Sequence, residues 1–150
     1  MPAGEILDGL RAVVAHPLLR PLAAVLATRS FFGSFFGTLY ALYAIQVLGL
    51  GPAALGILVA GGGVGALLAA LLAGRFVRRL GLGATLLLSA AIGGAMTLLI
   101  PLAGGPLLLA AGLLFVAQVA GDFASVVYEI NALSLLQTAV PDRILGRANA

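Results

Sequence analysis

The sequence predicts an all-α integral membrane protein: four transmembrane helices in two antiparallel hairpins, both termini cytoplasmic. Three observations predict it. The chain is 62% hydrophobic and 9% charged, where a soluble domain carries about 25% charged residues. Its two charge-free runs, Ser30 to Gly74 and Leu80 to Gly121, are each about twice the ~20 residues that cross a ~30 Å hydrocarbon core. Its basic set is eight arginines and no lysine, gathered mostly at three places along the chain. So few charges could not cover a water-facing surface, which excludes a soluble enzyme, a nucleic-acid-binding domain and a disordered tail. With no cysteine, a disulfide framework, a zinc finger and a thiol nucleophile are excluded too.

Residues 1–20 read as a cytoplasmic interfacial segment. Ile6, Leu7, Leu10, Val13 and Val14 recur at helical spacing, with Glu5, Asp8 and Arg11 on another face, and His16-Pro17 ends the helix. The acidic opening also excludes a secretory signal. Residues 21–140 form the membrane region, with crossings expected at about 21–48, 53–74, 83–102 and 107–137. Gly49-Leu50-Gly51-Pro52 divides the first run, and Pro101 with Gly104-Gly105-Pro106 divides the second. The runs are solid Leu, Ala, Gly and Val, which favour helix and lack the alternation of a barrel strand. Residues 141–150 read as a cytoplasmic loop and the start of a further helix. Arg11 and Arg20 precede the first span, Arg75, Arg78 and Arg79 separate the second from the third, and Arg143 and Arg147 follow the fourth. The positive-inside rule therefore places the termini and the middle loop in the cytoplasm.

Small residues mark candidate packing faces: Gly33 and Gly37 on the first span, and Gly62, Ala66, Ala70 and Gly74 every four positions on the second. Such stripes let helix backbones approach where lipid gives no hydrophobic drive to associate. Static packing and a sliding surface both fit. Gly61 to Ala66 also satisfies a loose G-x-G-x-x-A pattern. No strand precedes it and no acidic residue follows at the usual distance, so nucleotide binding is excluded. No cofactor and no metal site is expected.

Polar groups inside a membrane are costly and point to function. On the fourth span Gln118, Asp122, Ser125 and Glu129 step by four, three and four, which aligns them on one stripe. Arg29, Gly33, Phe36, Tyr40 and Tyr43 form a similar stripe on the first. Arg29 lies about 12 Å in from Pro21 by helix rise, either snorkelling back to the surface or facing inward. Asp122 lies about 24 Å in from Pro106, within roughly one turn of the depth of Arg29. A carboxylate beside a cation keeps its charge, while one alone in low dielectric favours its neutral form. Either state suits proton coupling through an Arg29–Asp122 contact. Glu129 lies at or just past the inner membrane edge, where it reads as a solvated helix-end residue.

These segments carry a family resemblance. Gly74-Arg75-Phe76-Val77-Arg78-Arg79-Leu80-Gly81 resembles the G-x-L-x-D-R-x-G loop of the major facilitator superfamily, with Arg78 where that loop has Asp, and Gly51 to Gly56 resembles its leader. Val127 to Gln137 and Pro141 to Ala150 resemble the passage from the tenth helix into the eleventh in a bacterial efflux branch that includes enterobactin exporters and macrolide pumps. Gly9-Leu10-Arg11 with His16 to Arg20 resembles the stretch before its seventh helix. The resemblance implies helices seven to ten of a C-terminal half, with the N-terminal half and the last two helices supplied elsewhere. It implies a cytoplasmic gate loop of Gly74, Arg78, Arg79, Gly81, Asp142, Arg143, Gly146 and Arg147. In that loop Asp142 either pairs with Arg78 or Arg79 or caps the next helix.

The expected function is secondary transport, not catalysis: proton-coupled efflux of amphipathic small molecules such as drugs or siderophores, by alternating access. The pathway would use Arg29, Phe36, Tyr40, Gln118, Asp122, Ser125 and Glu129 in a bacterial inner membrane. The expected partners are the lipid bilayer and a small amphipathic substrate, with no nucleic acid. The alternative is a self-contained four-helix protein, acting as a homo-oligomeric multidrug transporter or a non-transporting scaffold.

Overall fold

The computed structural model describes residues 19–139, together with Arg11, residues 13–15 and Pro17. Every regular element among the described residues is helical. Helix α1 runs Leu19–Leu42 and continues into a π-helical turn, Tyr43–Val47. Helix α2 is Pro52–Leu80, α3 is Leu82–Leu102 and α4 is Leu107–Ala139. Four stretches are long and apolar enough to cross a membrane: Ala23–Val47, Pro52–Leu80, Leu82–Leu102 and Leu107–Leu135. Most of the interfacial segment before residue 20, and all of the expected loop at 141–150, lie outside the described residues.

Local chemistry sets the helix ends. Pro52 occupies the first position of α2 behind an extended Gly51, where its missing N–H costs nothing. At the other end α2 runs six residues beyond the expected boundary at 74. Arginine is a good helix former, and Arg78 and Arg79 in the last turn meet the negative end of the helix dipole. Gly81 alone then joins α2 to α3. Its φ of +81° is the left-handed conformation that glycine adopts without strain. Its N–H donates to the Val77 carbonyl at 2.9 Å, while its own carbonyl accepts from Thr85 N–H at 3.1 Å and Thr85 Oγ1 at 2.8 Å. Pro101 stops α3 one residue later, and Ala103 N–H bonds the Ile100 carbonyl at 3.1 Å.

The chain divides into two units, Phe36–Asn131 and a second made of Met1–Phe35 with Ala132–Ala150. In the latter, Phe31, Phe32 and Phe35 stand exposed, and the Phe31 ring meets the other two edge-on at 5.4 and 5.1 Å. Thr28 and Ser34 satisfy their hydroxyls on carbonyls four residues back, at 2.8 and 2.9 Å.

The Phe36–Asn131 unit has an apolar cluster where its two uncharged turns meet. Ala44, Leu50, Leu58, Ala103, Ala110 and Leu114 are buried there. The Tyr43 hydroxyl donates to the Ala103 carbonyl at 2.6 Å, joining the π-helical turn to the end of α3. Further along, α2 packs on α4 through Gly61, Gly62, Gly65, Ala69 and Ala73, all buried. A Cβ at Gly61 would strike the Phe115 ring, and one at Gly65 would overlap the Val119 carbonyl oxygen. The packed stripe is therefore rotated from the expected one. Of the latter's members, Gly62 is buried, Ala66 half-buried, and Ala70 and Gly74 exposed. Gly33 and Gly37 have nothing within 4 Å of an added Cβ. Toward the arginine-bearing end, Ala69, Ala73 and Val127 are buried together, and Phe76 meets Phe123 edge-on at 5.9 Å. Much of the leucine points outward, with Leu87 75% and Leu108 87% exposed, as lipid-facing residues require.

This packing reverses the usual sign of a glycine substitution. Gly65→Ala is expected to destabilise the purified protein in detergent by about 1–3 kcal/mol. Gly63→Ala, whose methyl meets nothing within 4 Å, is expected to gain up to about 1 kcal/mol of helix propensity. Tyr43→Phe keeps the ring and loses the Ala103 bond, an expected cost of about 0.5–1.5 kcal/mol. Unfolding midpoints of the three variants check all of this.

Candidate functional site

Within the Phe36–Asn131 unit, a cavity of about 350 Å³ opens among all four helices. Helix α1 contributes Phe36, Gly37 and Tyr40, and α2 contributes Val59. Helix α3 contributes Gly93, Met96, Thr97 and Ile100, and α4 contributes Ala117, Gln118, Gly121, Asp122 and Ser125. Five residues singled out on two separate spans, Phe36, Tyr40, Gln118, Asp122 and Ser125, thus face one space. The four- and three-residue steps put the α4 members one above another on that wall.

The polar wall has a definite bonding pattern. Gln118 Nε2 donates to Asp122 Oδ2 at 2.7 Å, a hydrogen bond between neighbouring turns of α4. That bonded pair lies over Gly62 of α2, where a Cβ would overlap Asp122 Oδ2 and approach Gln118 Nε2 to 2.9 Å. Thr97 satisfies its hydroxyl on the Gly93 carbonyl at 3.0 Å. The Tyr40 hydroxyl is buried and has no hydrogen-bond partner among the described residues, so it can donate to an occupant of the cavity. Phe36, Val59, Met96 and Ile100 add apolar surface to the lining. An occupant therefore meets a carboxyl group and hydrogen-bonding groups together with aromatic and aliphatic surface.

A smaller cavity, about 90 Å³, lies toward the arginine-bearing end among Phe76, Leu80, Leu88, Ile92 and Phe123. Its two hydroxyls are already satisfied: Thr85 bonds Gly81 at 2.8 Å and Ser89 bonds Thr85 at 2.6 Å. Buried Asn131 likewise donates to the Val127 carbonyl at 2.7 Å.

The remaining expected residues lie elsewhere. Glu129 is exposed and does not line the large cavity. Arg29 is half-buried in the unit containing residues 1–35. Gly74, Arg78 and Arg79 are exposed, and the expected gate loop is helical through Leu80, leaving only Gly81 between helices. Arg78 folds back over Gly74, and Arg75 Nη1 donates to the Leu71 carbonyl at 3.3 Å. Asp142, Arg143, Gly146 and Arg147 lie outside the described residues. The α3 wall was not singled out from the sequence, although it has a signal: Thr85, Ser89, Gly93 and Thr97 recur every four residues. Hydroxyls that bond back to their own helix make a weaker polar signal than a carboxylate.

Four helices long and apolar enough to cross a membrane thus surround a carboxylate-bearing cavity, the architecture of a multi-pass membrane protein. The chain belongs to the major facilitator superfamily: the family model described as MFS/sugar transport protein matches residues 2–145. No curated protein and no solved structure matches it.

Water access separates the cavity wall from the lipid face. A cysteine reacts as its thiolate, which forms only in contact with water. Ser125→Cys is expected to react with a charged, water-soluble thiol reagent at least about tenfold faster than Leu87→Cys. Labelling rates in membranes measure this.

Proposed function

We propose that this chain forms part of the pathway of a proton-coupled secondary transporter that moves amphipathic small molecules, such as drugs or siderophores, out of the cell by alternating access. The observation that carries the reading is the carboxylate of Asp122 in a cavity lined by both polar and apolar side chains. Ionisable groups at such depth mark ion or substrate routes. A carboxyl group in reach of a solute can exchange a proton for it, which couples uptake of one to release of the other. Phe36, Met96 and Ile100 suit the apolar body of the solute, and Tyr40, Gln118 and Ser125 suit its polar groups. Family membership supports the transport class. Four helices enclose only part of such a pathway, so the working protein includes an N-terminal half and two further helices. The proposed location is a bacterial inner membrane, with the arginine-bearing ends cytoplasmic.

A second reading follows from the family model, whose description includes sugar transport. Tyr40, Gln118, Asp122 and Ser125 would then hydrogen-bond a polyol. The two readings differ in what competes for the cavity: a lipophilic dye on the first, a monosaccharide on the second.

The test is transport by the complete protein in proteoliposomes with an imposed pH gradient. Asp122→Asn is expected to lower gradient-driven dye transport to the rate seen without a gradient. Glu129→Gln, on an exposed residue, is expected to leave most of it. Unchanged pH dependence in Asp122→Asn would remove Asp122 from the coupling step.

A further inference from the structure

We infer that Gln118 and Gly62 are positioning residues for Asp122: together they commit one carboxylate oxygen to the protein and leave the other to exchange the proton. The inference rests on the reading of Asp122 as the coupling group. Gln118 Nε2 donates to Oδ2 at 2.7 Å. The same oxygen fills the space where a side chain at Gly62 would begin, with Gln118 Nε2 and Cγ 2.9 and 3.0 Å from that point. The amide and the carboxylate, one turn apart on α4, therefore lie directly on the backbone of α2. Only a residue without a Cβ accommodates them. Asp122 itself lines the cavity.

The cavity wall carries other polar groups besides the amide. Tyr40 is the one titratable group that α1 contributes, α2 contributes only Val59, and the Thr97 hydroxyl of α3 bonds its own helix. Ser125 is the remaining polar group of α4, and none of Arg75, Arg78 and Arg79 lines the cavity. A neutral amide donor thus supports the ionised carboxylate here, and hydrogen bonds to charged acceptors are the stronger kind. Removing that donor takes away the one side-chain hydrogen bond seen, among the described residues, to hold the carboxylate in place.

The experiment is the pH profile of transport by the complete protein in proteoliposomes, for wild type, Gln118→Leu, Gly62→Ala, Gly63→Ala and Asp122→Asn. The midpoint is expected to move by about one unit or more in Gln118→Leu. It is expected to move in the same direction in Gly62→Ala, whose methyl displaces Oδ2 from the amide, and to stay in place in Gly63→Ala. Loss of packing alone lowers the rate at every pH and does not move a midpoint. An unmoved midpoint in both Gln118→Leu and Gly62→Ala, with pH dependence abolished in Asp122→Asn, overturns the positioning role and leaves Asp122 as the coupling group. Intact pH dependence in Asp122→Asn overturns both. If Gln118→Leu does not insert, Gly62→Ala read against Gly63→Ala decides the question.

Discussion

The close approach of α2 to α4 is the constraint on which the rest of the Phe36–Asn131 unit depends. In a bilayer, apolar side chains gain nothing by leaving lipid for each other, so helices associate through intimate packing and hydrogen bonds. Gly61, Gly62 and Gly65 supply the packing, bringing the α2 backbone against Phe115, Gln118, Val119 and Asp122. The contact also does something that apolar packing alone does not. It seats an i, i+4 amide–carboxylate pair on a bare stretch of backbone, so that a costly polar group is held in place while the cavity beside it stays open.

Two firmer regions flank this contact. At the end where the uncharged turns meet, the Tyr43–Ala103 hydrogen bond and the cluster around Leu114 join the π-helical turn to α2, α3 and α4. At the arginine-bearing end, Ala69, Ala73 and Val127 pack together beside the Phe76–Phe123 ring contact. Between them the cavity wall is lined in part by glycines, Gly37, Gly93 and Gly121, which fill little space. The smaller cavity lies beside the second of these regions, lined in part by Phe76, Phe123 and Val127.

Much of this was legible in the sequence, for physical reasons that differ from residue to residue. The spans were legible because bilayer thickness sets helix length and charge marks the boundaries. Asp122 and Gln118 were legible because polar residues at four-residue spacing are conspicuous against leucine. The face of α2 that packs was not, because Gly61, Gly62, Gly63 and Gly65 crowd two adjacent faces and a small-residue pattern alone does not say which one meets a partner. Helix α2 continues past residue 74, where the charge-free run ends, because arginines in a last turn extend a helix. The α3 wall was passed over because Thr97 satisfies its own hydroxyl. The bond from Tyr43 to a carbonyl sixty positions away has no local signature.

The account depends on Asp122 being a carboxyl group that gains and loses a proton while held in the membrane. Infrared difference spectroscopy of the complete protein in lipid, titrated with pH, observes that event through the carboxyl C=O stretch. The account predicts a band that appears on acidification, is absent in Asp122→Asn and shifts its titration in Gln118→Leu. A spectrum in which Asp122→Asn removes no titrating carboxyl band would contradict it.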